Sequence, residues 1–594
     1  MTLLRRRMNG PDNNLDQKNL VMAIALSVLV LMVWQSMMPP PVKTMPNQPV
    51  AEEKKTQPTA PATKPQSTAP ASPSDAPAAQ IEQALIEHKA IAQLSAGAIQ
   101  QIELSNLDGQ ISRWTLLEEQ YGVRSADPEQ KPSPFAFARR RGADDELTSH
   151  FLPPTMSLKF DGRDIVGDFK VVKTEGDGIA ALEWTDTQRQ LKVIKRYTLD
   201  QSSYTVQVEV ELINLANRER TYEMNASFGA LQNNKEAEPS MFMPPLNLFN
   251  SLCMRNEDFE RLPVSDIAEH INDGEPQLNR FGDGVRWAGM DNRYFMTALL
   301  IENAEIKSCA ASLGEKGVST PPGFSRLFTR IELQPGALAA AGQAGSSVVR
   351  KFKFYGGPKT LSELNVQDPP LGEAIDFGFF SVICVPMLWL MRLSFEYIPN
   401  WGIAIIILTI FVKLLTLPLT IKQYKSMAAM KKIQPLMKAL QAKYSEDKVR
   451  MQQEMMKLYK EHQVNPLAGC LPMVMMMPIY FALYRTIYSA VELYQANFGG
   501  WLTDLSQQDP YYITPVLLGL LMIIQFRLNP SAGDQTQTKI LMWVMPIMFT
   551  AMMLFLPSGL VLYILVNTVL GIAQQWYSYR KQDAIVPQKA RAKR

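Results

Sequence analysis

"LTIFVKLLTLPLT", residues 408–420, places one charge inside an unbroken apolar run. As a helix, 401–420 is long enough to cross a hydrocarbon layer, which takes about 20 residues. A lysine at the middle of such a helix costs about 2.5–3.5 kcal/mol on insertion scales, so Lys413 needs a compensating environment. Thr409, Lys413, Thr416 and Thr420 recur at i, i+4, i+7 and i+11, which is one helical face. A polar stripe of this kind turns away from lipid, toward other helices or a water-filled cavity. Two plainer readings stand beside it: a lysine near a helix end extends its ammonium to the headgroups, and threonines bond back to their own helix.

The chain on either side divides sharply. Downstream, 467–490, 511–528 and a long apolar run from 540 to 573 are further span candidates. The long run exceeds one crossing, and "LPSGL" (556–560) divides it by turn chemistry into 540–556 and 559–577. Upstream, 376–398 is apolar but holds Pro386, Arg392 and Glu396; it reads as an interfacial helix, with a true span as the alternative. Near the start, Arg5, Arg6 and Arg7 precede an apolar stretch at 20–38 with no small-residue cleavage site after it, the pattern of an uncleaved signal-anchor. Six spans result, the anchor included.

Charge placement orients them. The loop 421–465 holds ten Lys and Arg against four acids and the basic tail 581–594 continues that excess, whereas 491–510 holds Glu492, Asp504 and Asp509 and no cation. The positive-inside rule puts 421–465, the N-terminal segment 1–19 and the tail in the cytoplasm and 491–510 outside.

Between anchor and core lie a linker at 39–84, with eleven prolines in its first 42 residues, and a region at 85–360 with period-two patterning. In "SYTVQVEVELINL" (203–215), Tyr204, Val206, Val208, Val210 and Leu212 share one face, as in a half-buried strand. Many such short segments separated by Asp-Gly, Asn and Pro turns predict a large β-sandwich. Cys253 and Cys309 are free to pair if this domain lies outside the cytoplasm, although their distance is not fixed by sequence. Four cysteines and four histidines without ligand spacing exclude a zinc or haem class, and no P-loop occurs.

The last span carries Tyr563, Asn567 and Gln574, and the fourth carries Gln525. With Lys413, Thr409 and Thr416 these residues are the candidates for a hydrophilic recess opening to the cytoplasm. The cytoplasmic loop reads as two helices. Met427, Met430 and Met437 lie on the first and Met455 on the second, which begins with Ser445 at the cap position. The methionines form either the inner face of a solvated hairpin or an adaptable surface for varied hydrophobic clients.

These residues carry a resemblance. "NWGIAIIILTIFVKLLTLPLTIKQYKSMAAMKKIQP", "QEMMKLYKEHQVNPLAGCLPMVMMMPIYFALYRTIYSAVEL", "WLTDLSQQDPYYITPVLLG" and "MPIMFTAMMLFLPSGLVLYILVNTVLGIAQQ" resemble the membrane core of the YidC/Oxa/Alb family of membrane protein insertases, over about 400–580. The anchor, linker and β region resemble the Gram-negative form, with a periplasmic β-super-sandwich. The resemblance implies a multi-domain protein of the bacterial inner membrane, with an α-helical polytopic core and a large all-β domain in the periplasm. It implies a non-enzymatic insertase and chaperone without cofactor. The implied partners are nascent membrane proteins, the Sec translocon (SecYEG and SecDF), the ribosome, the lipid bilayer and the signal recognition particle receptor. By motif, Lys413 falls where Gram-negative members usually carry arginine, Thr409 matches a groove threonine, and Tyr563–Ile564 falls where many relatives have two tyrosines. Two other classes compete. A transporter with Lys413 as anion site predicts internal repeats of broken helices, which are not seen. A membrane-tethered sugar enzyme would place its chemistry in the β domain.

Overall fold

The computed structural model describes residues 89–591 apart from 123–132, 140–148, 238–247, 257, 283, 302–305, 315–319, 445–446, 463–466 and 529–542. It gives backbone alone at 427–428, 431, 448, 467–476, 579 and 581–591. The expected N-terminal segment 1–19, anchor 20–38 and linker 39–84 lie outside the described residues, as do 540–542 of the fifth expected span.

Period-two patterning produces two sheets, one of eleven strands and one of nine. The strand Thr205–Asn214 shows why. Val206, Val208, Val210 and Leu212 are buried against the other sheet, each contributing about 1.5–3 kcal/mol by leaving water. Its outward residues form a cross-strand charge ladder, with Arg196 to Glu211 at 2.8 Å and Lys351 to Glu209 at 2.9 Å. Trp114, Trp287, Phe228 and Phe354 are among the large side chains filling the core between the sheets. Cys253 and Cys309 form a disulfide, with Cα atoms 6.3 Å apart. It joins strand Asn250–Arg255 of the nine-stranded sheet to Ile306–Leu313 of the eleven-stranded one. Closing a loop of this length restricts the unfolded chain by about 4 kcal/mol.

Seven helices longer than eight residues follow among the described residues: α1 (Ser381–Tyr397), α2 (Trp401–Lys443), α3 (Lys448–Glu461), α4 (Leu467–Ser489), α5 (Ile513–Leu528), α6 (Met545–Met553) and α7 (Ser558–Arg591). Gly378–Tyr397, Trp401–Ser426 and Ser558–Ser578 are long and apolar enough to cross a membrane, and Ile513–Leu528 is a shorter apolar helix. The break expected at "LPSGL" falls between α6 and α7.

Three local expectations are corrected. First, α2 runs 43 residues without interruption, through Pro418 and Pro435, so the boundary expected at 420 is not a chain break. Both prolines are exposed, so their rings meet no packed neighbour. Second, α3 is capped by Asp447, whose carboxylate accepts from the Arg450 N–H at 3.0 Å; Ser445 lies outside the described residues. Third, α7 continues through the segment expected as a tail, to Arg591.

The β domain is docked onto the core. The Arg293 guanidinium lies 3.6 Å from the ring centre of Tyr488 at the end of α4 and donates to the Tyr488 carbonyl at 2.7 Å. Tyr494 of the 491–510 loop packs against Tyr294 and Phe295, with ring centres 5.1 and 5.4 Å away. Beside them, fully buried Asp291 binds Lys359 at 2.8 Å and Arg261 at 3.2 Å. Asp376 then pairs with Arg485 of α4 at 3.3 Å. Arg485 therefore has a carboxylate partner.

Candidate functional site

Two ends of the core differ, and the difference defines the recess. At the end facing the β domain, the 491–510 loop is stitched to every helix that starts there. Asn400 donates from Nδ2 to the Phe498 carbonyl at 2.9 Å, Ser558 Oγ to the Asp504 carbonyl at 2.9 Å, and the Gly559 N–H to Leu505 at 2.9 Å. Gly402 allows the closest approach: a Cβ there would lie 2.0 Å from the Phe498 ring. Asp509, buried, accepts from the Thr514 N–H and hydroxyl, both at 2.7 Å, from Tyr511 N–H at 3.0 Å and from Trp501 Nε1 at 3.3 Å. Burial alone would raise its pKa, but these hydrogen bonds, Thr514 foremost, outweigh it and hold the carboxyl below its ordinary value.

Further in, three helices present polar groups at one depth. Lys413 is 12 residues past the start of α2, Gln525 12 past the start of α5 and Gly571 13 past the start of α7. At 1.5 Å per residue all lie about 18–20 Å from the closed end. Lys413 Nζ and Gln525 Nε2 each approach to 3.5 Å the point where a Cβ on Gly571 would sit. Both side chains are partly exposed. No carboxylate pairs with Lys413 among the described residues. The Gly571 carbonyl on this wall is already engaged by the Tyr424 hydroxyl at 3.1 Å.

The other expected residues are placed as follows. Thr409 is fully buried and Thr416 nearly so. Their hydroxyls, with that of Thr420, donate to carbonyls one turn back, at 2.6, 2.8 and 2.9 Å. This is the back-bonding arrangement, and it leaves the oxygen lone pairs as their only offer to the recess. Tyr563 is buried toward the closed end, and its hydroxyl, like Gln574 Oε1, has no partner among the described residues. Asn567 lies between them on α7, partly exposed. In the α2–α3 hairpin, Met437 is buried with Ile433 and Leu458, and Met430 and Met455 pack against that cluster. The side chain of Met427 lies outside the described residues. The hairpin's own core thus uses three of the four methionines.

Sequence reasoning passed over Gly571 and Tyr424. The available signal was a glycine inside a helical run, which marks a close approach. Among the described residues no group of histidine, cysteine and carboxylate side chains is arranged to hold a metal ion.

Two family models match the chain: "60Kd inner membrane protein" over residues 393–585 and "YidC periplasmic domain" over 99–390. A protein of Syntrophus aciditrophicus named membrane protein insertase YidC is 36% identical over 65% of this chain and 67% of its own length. The protein of the same name from Geotalea daltonii is 31% identical over 94% of this chain and 98% of its own. A crystal structure described as an active YidC insertase with its first transmembrane domain resolved has a TM-score of 0.36 and 16% identity. It covers 84% of this chain and 97% of that one. A putative aldose 1-epimerase from Escherichia coli K12 has a TM-score of 0.25 at 12% identity, over 45% of this chain and 99% of that one.

Proposed function

This chain belongs to the YidC family of membrane protein insertases, and we propose that it inserts client proteins through the recess walled by α2, α5 and α7. The observation that carries the proposal is the convergence of Lys413 and Gln525, from two helices at one depth, on the side-chain-free surface of Gly571.

A client with a short hydrophobic segment must move a polar tail across an apolar barrier. A recess that holds water to the depth of Lys413 shortens that barrier, and the ammonium attracts carboxylates on the tail. Asn567, partly exposed on α7 between Tyr563 and Gln574, offers the tail a hydrogen-bonding group in place of water. The apolar segment then leaves sideways into lipid, gaining about 0.8 kcal/mol per buried CH₂. Thr409, Thr416 and Asn567 line the same passage. The α2–α3 hairpin receives the client first, with Met427, Met430, Met437 and Met455 repacking around its apolar segment.

In this reading the core of five spans (401–420, 467–490, 511–528, 540–556 and 559–577) sits in the bacterial inner membrane, preceded by the anchor at 20–38 and the interfacial segment 376–398. Both termini and the hairpin 421–465 face the cytoplasm, and the domain at 85–360 faces the periplasm. Nascent membrane proteins are the clients. The Sec translocon, the ribosome and the signal recognition particle receptor are the partners that deliver or accept them. The test is site-specific photocrosslinking from positions 409 and 563 to a ribosome-stalled nascent chain. Crosslinks to the client tail are expected from both. Their absence from both, with crosslinks from lipid-facing Leu414 instead, would remove the recess from the pathway.

A further inference from the structure

The helix α1 is apolar on two sides. Cys384, Met387, Leu388 and Met391, at i, i+3, i+4 and i+7, are buried on one face. There the Cys384 thiol donates to the Ala482 carbonyl of α4 at 3.3 Å. Val382, Val385 and Trp389, at i, i+3 and i+7, form the other face, and Val382 is 83% exposed. This outward row gains by entering hydrocarbon, and Gly378–Tyr397 is long and apolar enough to cross a membrane. One residue opposes that pull. Arg392 continues the outward row three positions after Trp389, yet its guanidinium turns back to Glu492 of the 491–510 loop. Nε donates to Glu492 Oε1 at 2.8 Å, and Nη2 donates to the same oxygen. Glu492 is buried, and Arg392 is its one ion-pair partner among the described residues. Beyond Arg392, the Phe395 ring stacks on Trp401, the first residue of α2, with centres 4.2 Å apart and planes at 13°. Asn400 then caps α2 through the Ile403 N–H at 3.1 Å and holds the Phe498 carbonyl. A displacement of α1 is therefore passed to the start of α2 and to the loop that closes this end.

We infer that the Arg392–Glu492 ion pair is a pin that holds α1 at the outer surface of the bilayer, and that both are positioning residues for insertion. With the pair formed, only the outward row of α1 enters lipid. With the pair broken, nothing anchors the guanidinium side of the helix, and the row draws α1 deeper. The shift is carried through Phe395 and Trp401 to the long helix α2, whose alignment with α5 and α7 sets the recess. Glu492 gives the pin its direction: a buried carboxylate left without its partner is costly, so the loop holds Arg392 as firmly as Arg392 holds the loop. Both guanidinium contacts go to one oxygen, so a point charge can replace the planar fork here. This inference rests on the reading of 376–398 as interfacial and of 491–510 as outside.

The experiment uses the full-length protein in proteoliposomes, with a bimane fluorophore on Trp389→Cys in a Cys384→Ser background. The vesicles contain phospholipids brominated either near the headgroup or near the chain end. With the pair intact, quenching is expected mainly from the headgroup-side bromines. Arg392→Met keeps the apolar stem and removes the charge; Glu492→Gln removes the partner. Each is expected to move the stronger quenching to the chain-end bromines and to lower client insertion about tenfold, the scale of one hydrogen bond to a charge. Arg392→Lys keeps the shallow pattern and the insertion, and exchanging the charges, Arg392→Glu with Glu492→Arg, returns the shallow pattern. The same quenching depth in every variant, or an Arg392→Lys protein that behaves as Arg392→Met does, overturns the pin. A lower unfolding temperature with no change of depth would make the pair merely structural and overturns it as well. No quenching by either lipid in the otherwise unmodified protein would strike the interfacial reading of 376–398 itself, and the inference with it.

Discussion

At the β-domain end of the core, Asp509 alone accepts four hydrogen bonds, and Asn400, Ser558 and Gly559 tie two helices to one loop. About 18–20 Å along the same helices, Lys413 and Gln525 converge on the bare surface of Gly571, and no carboxylate among the described residues pairs with Lys413. Both ends are polar, so polarity does not separate them. What differs is whether each polar group has its partner inside the chain. A buried group satisfied internally rigidifies its surroundings, which suits a barrier. In the proposed function, a group left open in a wet recess is available to whatever enters.

The comparison breaks most easily at Lys413. Lys413→Glu is expected to reduce insertion of an acid-tailed client by about a hundredfold, since attraction becomes repulsion at the same site. Lys413→Arg retains activity, and Lys413→Ala falls only for clients with acidic tails. Protease protection of a radiolabelled client in vesicles reads all three. Equal performance would place the charge outside the mechanism.

The closed end is tested next. Asp509→Ala leaves the Thr514 and Trp501 donors without their acceptor and is expected to cost about 2–3 kcal/mol, read as a lower unfolding temperature of the purified protein. The pH dependence has a definite sign. The folded carboxyl titrates below its ordinary value, so its stabilisation is fully present above about pH 4 and is lost as pH falls through the folded value. The Asp509→Ala protein should show no such loss.

Arg293→Ala tests the docking of the two domains. A guanidinium stacked on Tyr488 contributes about 1–2 kcal/mol, and its removal should hasten proteolysis around 360–380 while the disulfide stays intact. The smallest effect is expected from the largest change. Removing 85–340 but keeping α1 should leave insertion within about twofold, because Lys413, Gln525 and Gly571 all lie outside it. Loss of all insertion would mean that the domain does more than brace the closed end.

The core was legible where chemistry and local pattern coincide. Lys413 stands out because one charge interrupts an apolar helix, and Thr205–Asn214 because its burial alternates. Contacts between distant segments were not legible. Arg485 meets Asp376 across 109 residues and Arg293 meets Tyr488 across 195, and no local rule anticipates either. The continuity of α2 was not legible either: 401–420 and the first helix of the hairpin read as separate segments, and the exposed Pro418 does not interrupt the helix that joins them. The disulfide depended on a compartment, which could be argued, and on a distance, which could not.

The uninterrupted α2 has a mechanical consequence. At 43 residues it measures about 65 Å, roughly twice the hydrocarbon thickness. It is a single rod whose inner arm is the first half of the methionine-bearing hairpin and whose middle carries the ammonium. If the hairpin receives the client, as proposed, leverage applied to it by an arriving nascent chain would turn or tilt the recess wall, unless the rod flexes at Pro418. Landing and admission would then be one motion.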